Sequence, residues 1–282
     1  MTTNTICSIV AALAVASLAA SALACDRVYQ ASLSTLPPLQ GWTFHGSAVA
    51  NSSAASGTLT YGPTTSSGTT YWSADLSGGG MDFSLVTWSL TANVRLTNST
   101  FGNVSGFRRG GFVLSLSDKA GRWIIADIGS GALGLRNDNN GTSDPQTNLN
   151  LGDGFHQVTL EAGPGGGRLL VDGNQIQTLP LAAGGGAVDA GFGDESILAS
   201  AQLTEIKWVT LVPSVDTCPG DLNCDVLVDD QDFSIFVQAY NVLVCDDPAM
   251  PPSCPADFNN DGLVDDADFA IFVVAYNRLV CE

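Results

Sequence analysis

The chain has 282 residues, 45% of them hydrophobic and 13% charged, with a formal net charge of −18. That length allows one or two domains, and the apolar share is enough for a sizeable core. The charge excludes nucleic acid as a partner, because a phosphate backbone repels a polyanion.

The first segment, residues 1–24, lies outside the expected fold. Its stretch "ICSIVAALAVASLAASALA" is uncharged and Ala-rich, and Ala22-Leu23-Ala24 supplies the small residues of a cleavage site. This is the pattern of a secretory signal peptide. The run is short and weakly apolar for a membrane span, so none is predicted. Cys25 follows the site at once, but a lipoprotein site usually has Leu three residues before the Cys, and position 22 is Ala. The expected location is secreted or at the cell surface. Cys7 leaves with the signal, and Cys25, Cys218, Cys224, Cys245, Cys254 and Cys281 remain. An even count in an oxidising compartment predicts disulfides.

Residues 25–212 are rich in Gly, Ser and Thr and show strand patterning. In "VTWSLTANVRL", Val86, Trp88, Leu90, Ala92, Val94 and Leu96 share one face, and polar residues take the other. "GFVLSLSDKAGRWIIADI" predicts two strands around a turn at Asp118 to Gly121. "FHQVTLEAGPGGGRLLVDGNQIQTL" predicts three strands, the second turn being Asp172-Gly173-Asn174, a strong hairpin signal. "LTEIKWVTLV" predicts a last strand with Ile206 and Trp208 inward. Many short strands with turn signals imply a β-sandwich or jelly roll. Four sequons, at Asn51, Asn98, Asn103 and Asn140, are expected to mark turns.

Phe155-His156 before "VTLEA", then "RLLVDGN", "FGDES" and the closing strand, resemble the concanavalin A-like, laminin G-like sandwich. Phe155 departs from that family's common Trp-His. The resemblance implies a mainly β jelly roll, and the family includes lectins, glycoside hydrolases and adhesion modules. Fold alone does not choose among them. Retaining hydrolysis needs two carboxylates about 5–5.5 Å apart, and this superfamily's E-x-D-x-x-E strand is absent here. Glu161 has no carboxylate two residues away, Glu205 is followed by Lys207, and Asp194 and Glu195 are adjacent and would face opposite ways. Of the two histidines, His45 and His156, the second reads as structural. No catalytic residue is assigned. Sugar sites use aromatic faces with polar neighbours, and Trp42, Tyr61, Tyr71, Trp72 and Trp123 are the candidates.

After a linker at 213–217, the tail from Cys218 to Glu282 carries 13 acidic residues against one arginine, −12 of the −18. It repeats itself without a gap. "CPGDLNCDVLVDDQDFSIFVQAYNVLVC" (218–245) and "CPADFNNDGLVDDADFAIFVVAYNRLVC" (254–281) are offset by 36 residues, a period that marks a duplicated supersecondary unit. Phe233, Phe236, Val237 and Tyr240, and likewise Phe269, Phe272, Val273 and Tyr276, fall at i, i+3, i+4, i+7, predicting one face of a helix in each unit.

The acidic loop before each helix has the ligand spacing of an EF-hand calcium loop. In the second, oxygen side chains fall at positions 1, 3, 5, 9 and 12 (Asp257, Asn259, Asp261, Asp265, Asp268), Gly262 stands at the sharp turn, and Leu263 offers a carbonyl. The first provides Asp221, Asn223, Asp225, Leu227, Asp229 and Asp232, but has Val226 at the turn. If that position is left-handed, a β-branched residue costs about 1–2 kcal/mol. Two Ca2+ sites are expected, the second tighter.

Two calcium-loop-plus-helix units with Asp at position 12 resemble a type I dockerin over Cys218 to Glu282. The resemblance implies calcium binding and docking to a cohesin module or other surface partner. Its recognition positions fall here on Asp230, Gln231, Asp266 and Ala267, which are not the Ser-Thr pair of the best-known members. It also implies antiparallel units, and hence Cys218 with Cys281 and Cys245 with Cys254. Cys224 has no repeat counterpart; it takes Cys218 instead, or Cys25, or stays free. Three functional readings follow: a glycan-binding module delivered by the tail, a divergent secreted glycoside hydrolase, or a structural surface protein whose sandwich spaces the tail from its partner.

Overall fold

The computed structural model describes residues 27–46, 52–61, 70–76, 81–97, 102–104, 107–109, 111–137, 146–185, 189–194, 203–213, 219–223, 227–250, 254–259 and 261–279. The chain enters through β1 (Arg27–Gln30), β2 (Thr43–Gly46), β3 (Ser52–Ala55), β4 (Thr58–Tyr61), β5 (Thr70–Asp75) and the long β6 (Trp88–Thr97). It continues through β7 (Gly102–Val104), β8 (Phe107–Arg109), β9 (Phe112–Ser117), β10 (Trp123–Ile128), β11 (Ala132–Arg136) and β12 (Thr147–Asn148). Then come β13 (His156–Gly163), β14 (Gly166–Val171), β15 (Asn174–Leu179), β16 (Asp189–Asp194) and β17 (Leu203–Pro213). Two helices follow, α1 (Asp230–Val242) and α2 (Asp266–Tyr276). No described helix is long and apolar enough to cross a membrane. Residues 1–24, expected to be a signal peptide, together with Cys25, Cys218, Cys224, Cys281 and the sequons at Asn51, Asn98 and Asn140, lie outside the described residues.

β7 and β8 pair as a separate antiparallel ribbon, and the other fifteen strands form two antiparallel sheets. One has eight strands, in the order β15-β14-β13-β6-β17-β4-β3 with β1 also on β17, and the other seven, in the order β12-β11-β10-β9-β16-β5-β2. This is the mainly β jelly-roll sandwich that the strand pattern predicts, followed by a small helical unit. Alternation is clearest in β6, where every second residue from Trp88 to Leu96 is buried. The hairpin between β14 and β15 turns at Asp172 (φ 49°) and Gly173 (φ 78°), the left-handed pair of a type I′ turn, whose twist matches the strands. The β9–β10 turn is fixed by the fully buried Asp118. Its carboxylate accepts from the backbone of Ala120 and Arg122, and from Phe83 across the loop.

Three sequence expectations fail here for identifiable reasons. Trp42, Tyr61 and Trp72 are core residues, each 2% exposed. Trp42 and Trp72 pack on Phe192 at 4.9 and 5.4 Å between ring centroids, and Tyr61 on Trp72 at 5.4 Å. Trp208 is not inward: a β-bulge between Ile206 and Trp208 shifts the phase of β17, so Ile206, Val209 and Leu211 fill the core. Asn103 sits in strand β7, not in a turn.

Candidate functional sites

The outer face of the seven-stranded sheet is polar and sheltered. Cross-strand partners share a face, which places His45, Tyr71 and Asp127 in one row and Ser73, Gly191, Ser115 and Arg136 in the next. None of these belongs to the hydrophobic core, yet Tyr71, Ser73, Ser115, Asp127 and Arg136 are all buried. His45 Nε2 lies 2.8 Å from Ser73 Oγ. Tyr71 Oη reaches Ser115 Oγ by crossing Gly191. A Cβ at Gly191 would sit 1.8 Å from that hydroxyl oxygen, so only glycine allows the bond. Arg136 Nε donates to Asp127 at 2.8 Å, an ion pair almost wholly out of water. Asp189 stands at the same face beside Ser117 and the half-buried Trp123. Burial pushes the Asp189 carboxyl above its ordinary range, and the neighbouring His45 opposes that rise.

Of the five aromatic candidates, only Tyr71 and Trp123 reach this face. Ser73, Ser115, Asp127, Arg136 and Asp189 carry no motif in the sequence. The one legible signal is the near-continuous apolar reading of "FVLSLS" and "ALGLR", whose strands β9 and β11 the structure buries at every position, the mark of a strand covered on both sides. Two other carboxylates occupy the opposite sheet and are held by arginines, Glu161 by Arg168 and Glu205 by Arg95 at 2.7 Å. His156 lies between Asp172 (2.7 Å) and Asp153 (2.9 Å), as a structural residue would. A cleft of about 650 Å3, lined by Phe83, Arg122, Gly165 and Pro180 among others, lies at the β13–β14 turn.

The tail is built as a pair. Each helix starts with a capping box. The Asp229 carboxylate accepts from Gln231 N–H, and Asp232 accepts back from Asp229; Asp265, Ala267 and Asp268 repeat the arrangement. Asp232 and Asp268 are fully buried, and one oxygen of each also accepts two loop N–H groups, from Leu222 and Asn223 or from Phe258 and Asn259. Each helix end then pairs with the other unit's loop: Val264 N–H donates to Leu243 C=O, and Val228 N–H to Leu279 C=O. The tyrosines cross over too, Tyr240 donating to Asp266 (2.7 Å) and Tyr276 to Asp230 (2.6 Å). These contacts repeat at an interval of 36 residues, as two units related by a pseudo-two-fold axis require. Cys245 and Cys254 form a disulfide, and the expected Cys218–Cys281 bond lies outside the described residues.

The predicted helix face needs correction. Phe236 and Phe272 are buried, but Phe233, Val237, Tyr240, Phe269 and Val273 are between 37% and 41% exposed. The buried stripe runs instead through Asp232, Phe236 and Ala239, and through Asp268, Phe272 and Ala275. The capping aspartates lie inside, so the apolar residues one position later turn outward. Phe233 and Phe269 stand 6.5 Å apart, joining the two exposed strips.

The second loop wraps around its first carboxylate. Asp257 accepts from Asp261 N–H (3.1 Å) and Gly262 N–H (2.9 Å), and Gly262 has φ 88°. Asn259 and Asp261 lie on the same turn, and Leu263 pairs in an antiparallel bridge with Val244. In the first loop Asp225 and Val226 lie outside the described residues, while Asp221 and Asn223 are buried. Asp257 also approaches the sulfurs of Cys245 and Cys254. A bonded disulfide has no thiolate to offer, so this trio is not a metal site.

No protein-family model matches the chain, and no curated protein matches it. Solved structures do resemble the sandwich. The catalytic domain of an endo-1,3-beta-glucanase (laminarinase) from Thermotoga petrophila is 10% identical, with 67% of this chain and 97% of that chain covered and a TM-score of 0.46. The Ca2+/Man-bound exoplasmic/lumenal domain of VIP36 is 14% identical, covering 67% and 89%, with a TM-score of 0.41. A carbohydrate esterase from a Shiga toxin-encoding bacteriophage is 12% identical, covering 65% and 95%, with a TM-score of 0.42. At these identities and scores none transfers an activity or a ligand.

Proposed function

We propose that this is a secreted or cell-surface protein whose sandwich binds a glycan and whose tail attaches it, in a calcium-dependent form, to a cohesin-like or other surface partner. The observation that carries the glycan reading is the sheltered polar face. The exposed His45 imidazole and the half-buried Trp123 flank the buried hydroxyls of Tyr71, Ser73 and Ser115, the aromatic and polar mixture that orients a sugar. The Asp127–Arg136 pair is already satisfied internally, so it shapes the site without a free charge. Glycan binding and not hydrolysis is the reading adopted: Glu161 and Glu205 are held by arginines on the other sheet, Asp127 is held by Arg136, and Asp189 alone does not make the carboxylate pair that retaining hydrolysis needs.

Calcium fits the second loop on donor chemistry. Asp257, Asn259, Asp261 and Asp265, with the carbonyl of Leu263, are hard oxygen donors on one turn, and Gly262 adopts the left-handed backbone that the turn needs. Asp268 would close the set from a single oxygen. A carboxylate has about four acceptor positions, and three of them already take N–H groups. The first loop supplies Asp221, Asn223, Asp225, Leu227, Asp229 and Asp232 in the same order. A bound ion would neutralise these carboxylates and lock loop to helix. The partner face is the exposed strip of Phe233, Val237, Phe269 and Val273, rimmed by Asp230, Gln231, Asp266 and Ala267.

A glycan array on the full chain, with Gly191→Ala as the control, tests the glycan reading. Signal on defined glycans that disappears in Gly191→Ala is expected. No signal with the wild type, or an unchanged one in the variant, removes the polar face as the site. Release of reducing sugar would turn the reading to hydrolysis.

A further inference from the structure

The bulge in β17 does more than shift the core. Ile206 pairs with Val94 and Trp208 with Asn93, leaving Lys207 as the extra residue. In regular alternation, neighbours on a strand face opposite ways. A bulge relaxes that rule and re-aims side chains, and here Lys207 and Trp208 both come to the outer face of the eight-stranded sheet. Trp208 lies between Asn93 and Gln30 on that face. Together with Val28, Gln30, Ser32 and Thr210, the pair lines a groove of about 550 Å3. This groove is on the opposite sheet from the polar face already described.

Its chemistry is specific. Two cations flank the Phe155 ring, Arg95 at 5.0 Å and Lys207 at 4.3 Å. Arg95 is consumed by a two-pronged contact with Glu205 at 2.7 and 2.8 Å. Among the described residues Lys207 has no carboxylate partner, in a chain with 28 acidic side chains and 10 basic ones. The Lys207 ammonium rests on the Phe155 ring, and Lys207 also lines the groove together with Trp208 and the neutral residues Gln30, Ser32 and Thr210.

We propose that this groove is a second glycan subsite, selective for a uronic-acid residue. The pyranose ring stacks on Trp208, its carboxylate meets Lys207, and its hydroxyls meet Gln30, Ser32 and Thr210. A phosphate ligand fits less well, because one ammonium without converging backbone N–H groups among the described residues is a weak phosphate cradle.

The test is calorimetric titration of the full chain with trigalacturonate, and with neutral galactotriose as comparison. Trigalacturonate binding that weakens with added salt, and about ten-fold weaker binding in Lys207→Gln, the scale of one charge-assisted hydrogen bond, is expected. Trp208→Ala should lose binding of both sugars at this groove, with an unchanged thermal midpoint showing that it still folds. Gly191→Ala should leave trigalacturonate binding intact, which separates this groove from the polar face. Absence of trigalacturonate binding, equal affinity for galactotriose, or wild-type affinity in Lys207→Gln overturns the proposal.

Discussion

The sandwich and the tail reach a folded state by different means. The sandwich closes two sheets on a large apolar core that includes Trp42, Trp72, Trp88, Phe112 and Phe192. The tail has a small one, of which nine described residues are buried, Phe236 and Phe272 at its centre. They stack on each other at 5.1 Å. A unit of that size is marginal on apolar burial alone. It compensates with a disulfide, two capping boxes and two crossed tyrosine bonds, nearly all of which exist twice. The sandwich is stabilised by non-directional burial, whereas the tail depends on a few directional ties.

The sharpest break between the two is a core truncation on each side. Phe236→Ala should cost about 3–5 kcal/mol, enough to melt the tail while the sandwich stays folded. Phe192→Ala should do the reverse. Differential scanning calorimetry with limited proteolysis would show which part is lost, and simultaneous loss of both would mean that the two regions fold as one. Removal of the Cys245–Cys254 bond by a double Cys→Ser change should cost about 2–3 kcal/mol, the loop-closure value for so short a loop. Only the tail transition should move. The effect should be larger with calcium present, because Cys245 Sγ lies 3.5 Å from Asp257 Oδ2 and the Cys254 carbonyl accepts Asp257 N–H.

Next in size is the inequality of the loops. Gly262 adopts φ 88° without obstruction, and Val226 in the equivalent place would cost about 1–2 kcal/mol in that conformation. Calcium calorimetry should therefore resolve two affinities about ten-fold apart, with Asp257→Ala abolishing the tighter one and Asp221→Ala the weaker. The smallest effect belongs to the sandwich surface. Asp172 and Asp153, by hydrogen bonds to both ring nitrogens, hold the His156 imidazolium above its ordinary 6.5. The folded pKa is raised, so this stabilisation is fully present below pH 6.5 and is lost as pH rises through the folded value. Both carboxylates are more than half exposed, and such pairs contribute about 0.2–1 kcal/mol. His156→Gln should flatten that pH dependence in thermal melts of the sandwich and leave the tail transition alone.

Legibility in the sequence followed locality. The alternation of Trp88 to Thr97, the turn at Asp172-Gly173 and the doubled loop-helix pattern are encoded within a few neighbours, and all can be read directly. The bulge at Lys207 cannot, because regular alternation through Trp208 is equally consistent with the residues. The helix faces mislead for a related reason. Apolar spacing points to Phe233 and Tyr240, but the stripe that packs is set by Asp232, a polar residue buried by its hydrogen bonds. The polar face is the least legible part. His45, Tyr71, Ser73, Ser115 and Arg136 come from four strands, and only the register of the sheet assembles them.

The crossed bonds of the tail carry a consequence for its origin. Tyr240 needs Asp266 and Tyr276 needs Asp230, while each helix end needs the other unit's loop. A single 36-residue unit cut from the chain keeps all of these groups and satisfies none of the crossed ones. A second copy of itself, turned about the same axis, would satisfy them all. The duplicated tail is thus a homodimer written on one chain, and the segment between Cys245 and Cys254 is what makes its two subunits inseparable.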